Sequence, residues 1–317
     1  METVKVAREA MATRFEIVLH GENPVSLRAA GEEALDEIDW IEAQLSIYRS
    51  DSQINHANHR AASEPVKLEP TIFQLLQHCQ ALTQKTQGAF DITLGPLIRC
   101  WGFMGGSGHL PSKEAIRQAR ERVGFHHVAL DPNDFTIRYD SEGVMLDLGS
   151  IGKGYALERA KEILEENGVR RALLHGGTST VATIGTPPDQ TAWKIAVTQP
   201  LEPMSPSEGE TRQLKTVGIA RLKGNALSMS AVWGKFFHTE NRQYSHVING
   251  QTGEPALGAV QATITLDSAT DADALSTAML VAGDRGIPWL ESHFPENEYL
   301  LIKPGKKPLR KGFALPT

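Results

Sequence analysis

Apolar residues recur along the chain with two periods, and each period predicts its own element. Between Arg14 and His20, Phe15, Ile17 and Leu19 alternate with polar neighbours, the period of a half-buried strand. After Gly21-Glu22-Asn23-Pro24 the period lengthens: Leu27, Ala30, Ala34, Ile38, Ile41 and Leu45 keep the three-four spacing of an amphipathic helix. Asn23 is its expected N-cap and Pro24 its first helical residue. A polar loop, Ser46 to Ser52, should follow. A second helix is predicted over Thr71–Thr86, ended by Gly88, and a third from Pro111-Ser112 to about Val123. In the middle, a strand over Val144–Leu148 is expected to feed a glycine loop. A helix from Tyr155 to Asn167, closed by Gly168, comes next, then a strand over Ala172–Leu174. Further strands are predicted near residues 217–220, 227–230 and 260–266, and a last helix over Thr270–Ala282, ended by Gly283. The prolines and charges of residues 200–213 mark a flexible excursion.

Strands and helices do not alternate strictly, so the expected class is α+β, with mixed or antiparallel sheets and packed helices. The 317 residues suffice for a single domain over 1–317 or for two intimately packed subdomains. No internal repeat is visible. No stretch approaches eighteen uncharged apolar residues, so no membrane span is expected. The charged N-terminus lacks the apolar region of a signal peptide. The chain therefore reads as soluble and cytoplasmic, or as an exported one whose leader has been removed. A net charge of −6 argues against nucleic acid as a partner and requires local cations wherever a phosphate binds. Cys79 and Cys100 have no metal-type spacing and read as free thiols or, alternatively, one disulfide. Cys79 falls in the apolar stripe of the second helix, where a thiol is buried and inert.

Three segments can carry chemistry. In Asp147-Leu148-Gly149-Ser150-Ile151-Gly152-Lys153-Gly154-Tyr155 a strand runs through a glycine-rich loop into a helix. Exposed amides, the helix dipole and Lys153 would make a phosphate cradle; the bland reading is a glycine-rich helix start with a solvated lysine. The segment is neither a Walker loop nor a dinucleotide fingerprint. In the final helix, Asp273 and Thr277 stand four apart on one face. This carboxylate-hydroxyl pair suits a hard cation such as Mg2+; the bland alternative is helix capping by Asp271 or Asp273 with Thr277 back-bonding to the preceding turn. His246, before the turn-forming Asn249-Gly250 and Thr252-Gly253, can be a general base, a phosphate contact or a structural strand residue. His56 and His59 sit among polar loop formers without a third ligand, and His126-His127 reads as a surface pair.

Six segments in order, from Ala10 to Thr277, resemble the flavin transferase family ApbE (FAD:protein FMN transferase). Ala10-Met11-Ala12-Thr13 resembles its M-G-T, and Leu45–Asn58 its L-S-x-Y-x-x-D-S-x-I-x-x-x-N. Gly88–Pro96 with Trp101-Gly102-Phe103 resembles G-x-F-D-x-T-x-x-P…W-G-F, and Asp147–Tyr155 resembles D-L-G-x-I-A-K-G-Y. His246–Pro255 is similar to H-I-I-D-P-x-T-G-x-P, and Asp273–Thr277 to D-A-L-A-T. The resemblance implies FAD as substrate, with flavin and adenosine contacts from Met11, Tyr48, Ala89, Phe90, Asp91, Asp147, Lys153 and Ile248. It implies Mg2+ held by Asp273, Thr277 and an oxygen of Ser150. The implied reaction moves FMN from FAD to a threonine or serine hydroxyl of an acceptor flavoprotein and releases AMP, with His246 as base or phosphate contact. The same residues would serve FAD hydrolysis to FMN and AMP, or FAD binding without catalysis. Departures from the pattern fall at Thr178 (for Asp), Met229 and Ala231 (in T-S-G), and Asn249 and Gly250 (for Asp-Pro). Another frequent Asp is displaced by Leu157-Glu158. The carboxylates lost at 178 and 249 bear on a second metal or on acceptor docking.

Overall fold

The computed structural model describes residues 1–200, 214–239 and 242–314; the excursion expected at 200–213 lies, but for Pro200, outside the described residues. Nine-residue strands β1 (Glu2–Ala10) and β2 (Thr13–Gly21) open the chain as a hairpin. Its two-residue turn is tight enough to hold Met11 and Ala12 at φ 49° and 56°, a region where side chains are strained. Helix α1 (Pro24–Leu45) follows, with the Asn23 carboxamide oxygen accepting from the amides of Val25 and Ser26. Helices α2 (Gln53–Arg60) and α3 (Pro70–Lys85) flank a short strand β3 (Val66–Lys67). After α3 come α4 (Gly95–Cys100), α5 (Lys113–Arg120), β4 (Val128–Asp131) and β5 (Thr136–Tyr139). Helix α6 (Gly152–Glu166) leads into β6 (Ala172–Gly176) and β7 (Thr180–Ile184). The ribbon β8 (Trp193–Pro200) and β9 (Leu214–Leu222) precedes β10 (Ala226–Ala231) and the hairpin β11 (Phe236–Thr239) and β12 (Arg242–Ser245). The chain closes with β13 (Gln261–Leu266), α7 (Ala269–Ala282), α8 (Ile287–His293), β14 (Glu298–Ile302) and β15 (Leu309–Lys311).

The main sheet has eight strands in the order β1-β2-β6-β7-β10-β13-β14-β15, with every described neighbour antiparallel. This is the α+β architecture. Helix α6 packs against both α1 and α7, all three lie against this sheet, and alternate strand residues (Phe15, Ile17, Leu19; Ala262, Ile264) meet them in the principal core. The opposite face, through Leu227, Leu300 and Ile302, is covered by the β8–β9 ribbon with Trp193 and Val197. A third apolar cluster joins α4, α5 and the β11–β12 hairpin around Trp101, whose indole N–H donates to the Gly253 carbonyl at 2.8 Å. Among the described residues no helix is long and apolar enough to cross a membrane.

Two expectations are overturned, at residues 144–148 and at His56 and His59, and a strand forms at the N-terminus, where no element is predicted. Residues 144–148 are extended but form no strand. At Leu146 the partner is a side chain: Asn58 accepts from its amide (2.8 Å) and donates to its carbonyl (2.9 Å), as a neighbouring strand would, while the Asp147 amide donates to the Ile92 carbonyl (2.7 Å). His56 and His59 belong to helix α2, not a loop, because the Ser52 hydroxyl caps the Asn55 amide and Ile54 and Ala57 are buried. The charged N-terminus is strand β1: buried Val4, Val6 and Ala10 face the core, Arg8 on the same face pairs with Glu32, Asp36 and Asp39 of α1, and Glu2, Lys5 and Glu9 are exposed. Cys79 is buried, its thiol pushed up by burial, and both cysteines are free.

Candidate active site

A cleft of about 930 Å³ opens where α6, α7, the β1–β2 turn, the end of β10 and the segment after β12 converge. All the site residues singled out from the sequence line it: Met11, Tyr48, Ala89, Phe90, Asp91, Asp147, Ser150, Lys153, His246, Ile248, Asp273 and Thr277. The strained turn places Met11 on one wall. Tyr48, 68% exposed, stands at the lip, beside the glycine-rich segment at Gly105. Phe90, Leu94, Phe103 and Ile248 add apolar surface suited to a flat aromatic ring.

At the floor lies Asp273, 4% exposed and fully engaged on one side. Its Oδ1 accepts from the hydroxyls of Ser228 (2.9 Å) and Thr180 (3.3 Å), and its Oδ2 from the Gly154 amide (2.9 Å). The Lys153 ammonium stands 3.9 Å from the same Oδ2. Helices α6 and α7 come this close because residue 154 has no side chain: a Cβ there would lie 2.2 Å from the Ala269 carbonyl oxygen and 2.6 Å from the Asp273 Cβ. The N-terminus of α7 is held by Ser268, its N-cap, and by Glu158 of α6, which accepts from the Ser268 hydroxyl (2.7 Å) and the Thr270 amide (2.8 Å). Neither capping by Asp273 nor back-bonding by Thr277 is what holds this helix. Glu158 is a contributor that the sequence reading treated only as a departure.

The glycine loop is not an open amide cradle. The amides of Ile151 and Gly152 donate to the Leu148 carbonyl, that of Gly149 to Asp147 Oδ1 and that of Gly154 to Asp273. With these four amides taken, an anion in the cleft would depend chiefly on the Lys153 ammonium and on a cation held by oxygen ligands. Those ligands fit a hard cation. Asp273 Oδ2 keeps one lone pair beyond its Gly154 bond, Thr277 and Ser150 present oxygens to the same cleft, and Mg2+ typically combines one or two carboxylates with substrate phosphates.

His246 sits half-buried across the cleft. Its Nδ1 lies 2.8 Å from the Lys235 carbonyl, which only accepts, so Nδ1 carries the hydrogen and Nε2 is left with a bare lone pair. Burial lowers its pKa; the ammoniums of Lys235 and Lys153 lower it further, against the opposing bond to Lys235. A neutral imidazole with a free Nε2 is a base at neutral pH. Burial raises the carboxyls of Asp91 and Asp147 above the ordinary carboxylate range; bonds from Thr93 to Asp91 and from Gly149 to Asp147 only partly offset it.

The departures have separate accounts. Thr178, Met229 and Ala231 all line the cleft. Asn249 does not: its side chain accepts from the amides of Gln251 and Thr252, closing the turn after His246 as an aspartate would. At Gly250 a Cβ would lie 2.8 Å from Leu94.

Comparison with known proteins places the chain in a family. A protein named FAD:protein FMN transferase from Klebsiella pneumoniae is 24% identical over 303 residues, 94% of this chain and 84% of that protein. Another of the same name, from Salmonella typhimurium, is 27% identical over 254 residues, 78% of this chain and 69% of that one. The crystal structure of the ApbE protein from Thermotoga maritima superposes with a TM-score of 0.85 at 28% identity, covering 98% of this chain and 97% of that one. The apo flavinyl transferase ApbE of Pseudomonas stutzeri gives 0.81 at 26%, covering 98% and 94%. With the ApbE family model matching residues 11–301, and the same residues drawn into one cleft, the chain belongs to the ApbE family.

Proposed function

We propose that this protein transfers FMN from FAD to a threonine or serine hydroxyl of an acceptor flavoprotein, with Mg2+, releasing AMP. The observation that carries the reading is the convergence in one cleft of a bare imidazole nitrogen, an ammonium and an oxygen ligand set beside apolar walls. Met11, Tyr48, Ala89, Phe90 and Ile248 would receive the ring systems of FAD, with the Asp91 and Asp147 carboxyls as polar contacts. Lys153 would pair with the pyrophosphate, supplying on this acidic chain the positive charge that the occupied loop amides do not.

Asp273, Thr277 and Ser150 would hold Mg2+, which when bound neutralises charge on the pyrophosphate and polarises its P–O bonds. The rest falls to the protein. The acceptor hydroxyl gives its proton to His246 Nε2 as its oxygen bonds to the FMN phosphorus. The bond from that phosphorus to the bridging oxygen breaks, and AMP departs with the electron pair. The Lys235 carbonyl keeps the imidazolium oriented through Nδ1–H. Lys153 compensates the charge on the departing phosphate.

The test is chromatography of the nucleotides formed from FAD and Mg2+ with and without an acceptor peptide. AMP formed only with the acceptor, in equal amount to flavin bound to it, supports transfer. AMP and free FMN formed without acceptor mean hydrolysis, and intact FAD in both arms means binding alone.

A further inference from the structure

Ser230, on β10 at the cleft wall, and Ser276, buried on α7, have no place in the chemistry above, yet their hydroxyls form a chain that ends on Thr277. Ser230 Oγ is 2.7 Å from Ser276 Oγ and 2.9 Å from Thr277 Oγ1, and Ser276 Oγ is 2.9 Å from the Asp273 carbonyl oxygen. A hydroxyl has one hydrogen to donate and lone pairs to accept with. The direction of the chain is therefore set at its far end. The Asp273 carbonyl only accepts, so Ser276 donates to it and must accept from Ser230. Ser230 then has no second hydrogen, so Thr277 donates to Ser230. The Thr277 hydrogen is committed to Ser230, and its oxygen lone pairs are left for a cation in the cleft.

We propose that Ser230 and Ser276 are positioning residues that orient the Thr277 hydroxyl as a lone-pair ligand for the divalent cation; this rests on the Mg2+ site of the proposed function. Ser276 is wholly buried and Ser230 is half-buried. Neither needs to touch the cation to act. The same logic governs the carboxylate: Ser228 and Thr180 occupy Asp273 Oδ1, leaving Oδ2 to face Lys153 and the cleft. Without Ser230, the Thr277 hydrogen loses this acceptor and is free to turn toward the cleft, where it opposes a cation. Without Ser276, Ser230 is released to donate to Thr277, which reverses the chain. Outer-shell contacts of this kind are worth about 10–100-fold in metal affinity.

The experiment is a Mn2+ titration of the full chain followed by electron paramagnetic resonance, with FAD present and no acceptor, so that no turnover enters the readout. Ser230→Ala should raise the Mn2+ Kd by about 10–100-fold and Ser276→Ala by about tenfold or less, with Ser230→Thr staying near wild type. Because Ser230 acts through Thr277, its effect should vanish in a Thr277→Val background. A general loss of packing would persist there. An unchanged Kd in Ser230→Ala, or a loss that stays undiminished beside Thr277→Val, overturns the inference; should Ser230→Ala fail to fold, the Ser276→Ala cycle decides in the same way. Absence of Mn2+ binding by the wild-type chain overturns the metal site itself.

Discussion

Replacing Gly154 by alanine puts two opposed physical effects in competition. Residue 154 lies in the first turn of α6, and on helix propensity alone the alanine would stabilise by about 0.8–1 kcal/mol. Against this stands the approach of α7. The added Cβ would sit 2.2 Å from the Ala269 carbonyl oxygen and 2.6 Å from the Asp273 Cβ, where ordinary contact begins at 3.4 Å. Both obstacles are fixed to the α7 backbone, so no rotamer change relieves them and the helices must part by about 1 Å. Overpacking costs about 1–3 kcal/mol, and here, where backbone must move, the cost falls at about 3 kcal/mol or above. The net expectation is a loss of about 2 kcal/mol or more, read as a fall of several degrees in Tm by calorimetry. The displacement also carries Asp273 away from the Gly154 amide and Lys153, so transfer should fall by about 100-fold even well below the Tm. A Gly154→Ala protein with equal or higher Tm and unaltered turnover would refute the claim that this close helix contact builds the site.

Other consequences can be checked in parallel. His246→Asn should lower kcat by about 10²–10⁴-fold with little change in FAD affinity, measured by steady-state rates and flavin fluorescence. The acid limb of kcat/KM should lie below the ordinary histidine value near 6.5, because the lowered pKa keeps His246 neutral until the pH drops further. The same shift has a stability consequence. The unfolded chain takes up this proton first, so the contribution of His246 is present above its unfolded pKa and is lost as pH falls through the folded one, visible as a declining Tm. Ala12→Gly should raise stability by about 1 kcal/mol, since φ 56° strains alanine and not glycine; an unchanged or lower midpoint in urea would count against strain at that turn. Asn249→Asp should keep both Tm and transfer, whereas Asn249→Ala should lose about 1 kcal/mol, because the side chain acts as a turn-closing acceptor.

Long elements with a clear period were legible from the sequence. Helix α1 was visible in its apolar stripe and its Asn-Pro start, and α3 and α6 in theirs. The strand core of β2 was equally plain. What escaped has either a partner distant along the chain or a local pattern masked by polar residues. The segment 144–148 carries a strand composition, but Leu146 pairs with the Asn58 side chain and Asp147 with the single carbonyl of Ile92, which no local pattern announces. Helix α2 is so polar that its residues read as loop, and it holds through the Ser52 cap and two buried apolar residues. The period-two pattern of β1 was present in Val4 and Val6 and was obscured by the surrounding charges. At the site, residue types and motif order pointed to the residues that gather in the cleft. Their states could not be read the same way. The tautomer of His246 depends on a carbonyl eleven residues away, the Gly154–Asp273 contact joins two helices, and the Ser230–Ser276 link joins a strand to a helix.

The most direct test of the account is the intact mass of an acceptor flavoprotein, or of a peptide carrying its threonine, after incubation with this protein, FAD and Mg2+. The account requires the acceptor to gain the mass of one FMN through a phosphoester, and requires the gain to disappear with a chelator or with His246→Asn. An acceptor that keeps its original mass while the protein binds FAD and Mg2+, across acceptors that a relative from the same family does modify, would contradict the assignment of transfer to this cleft.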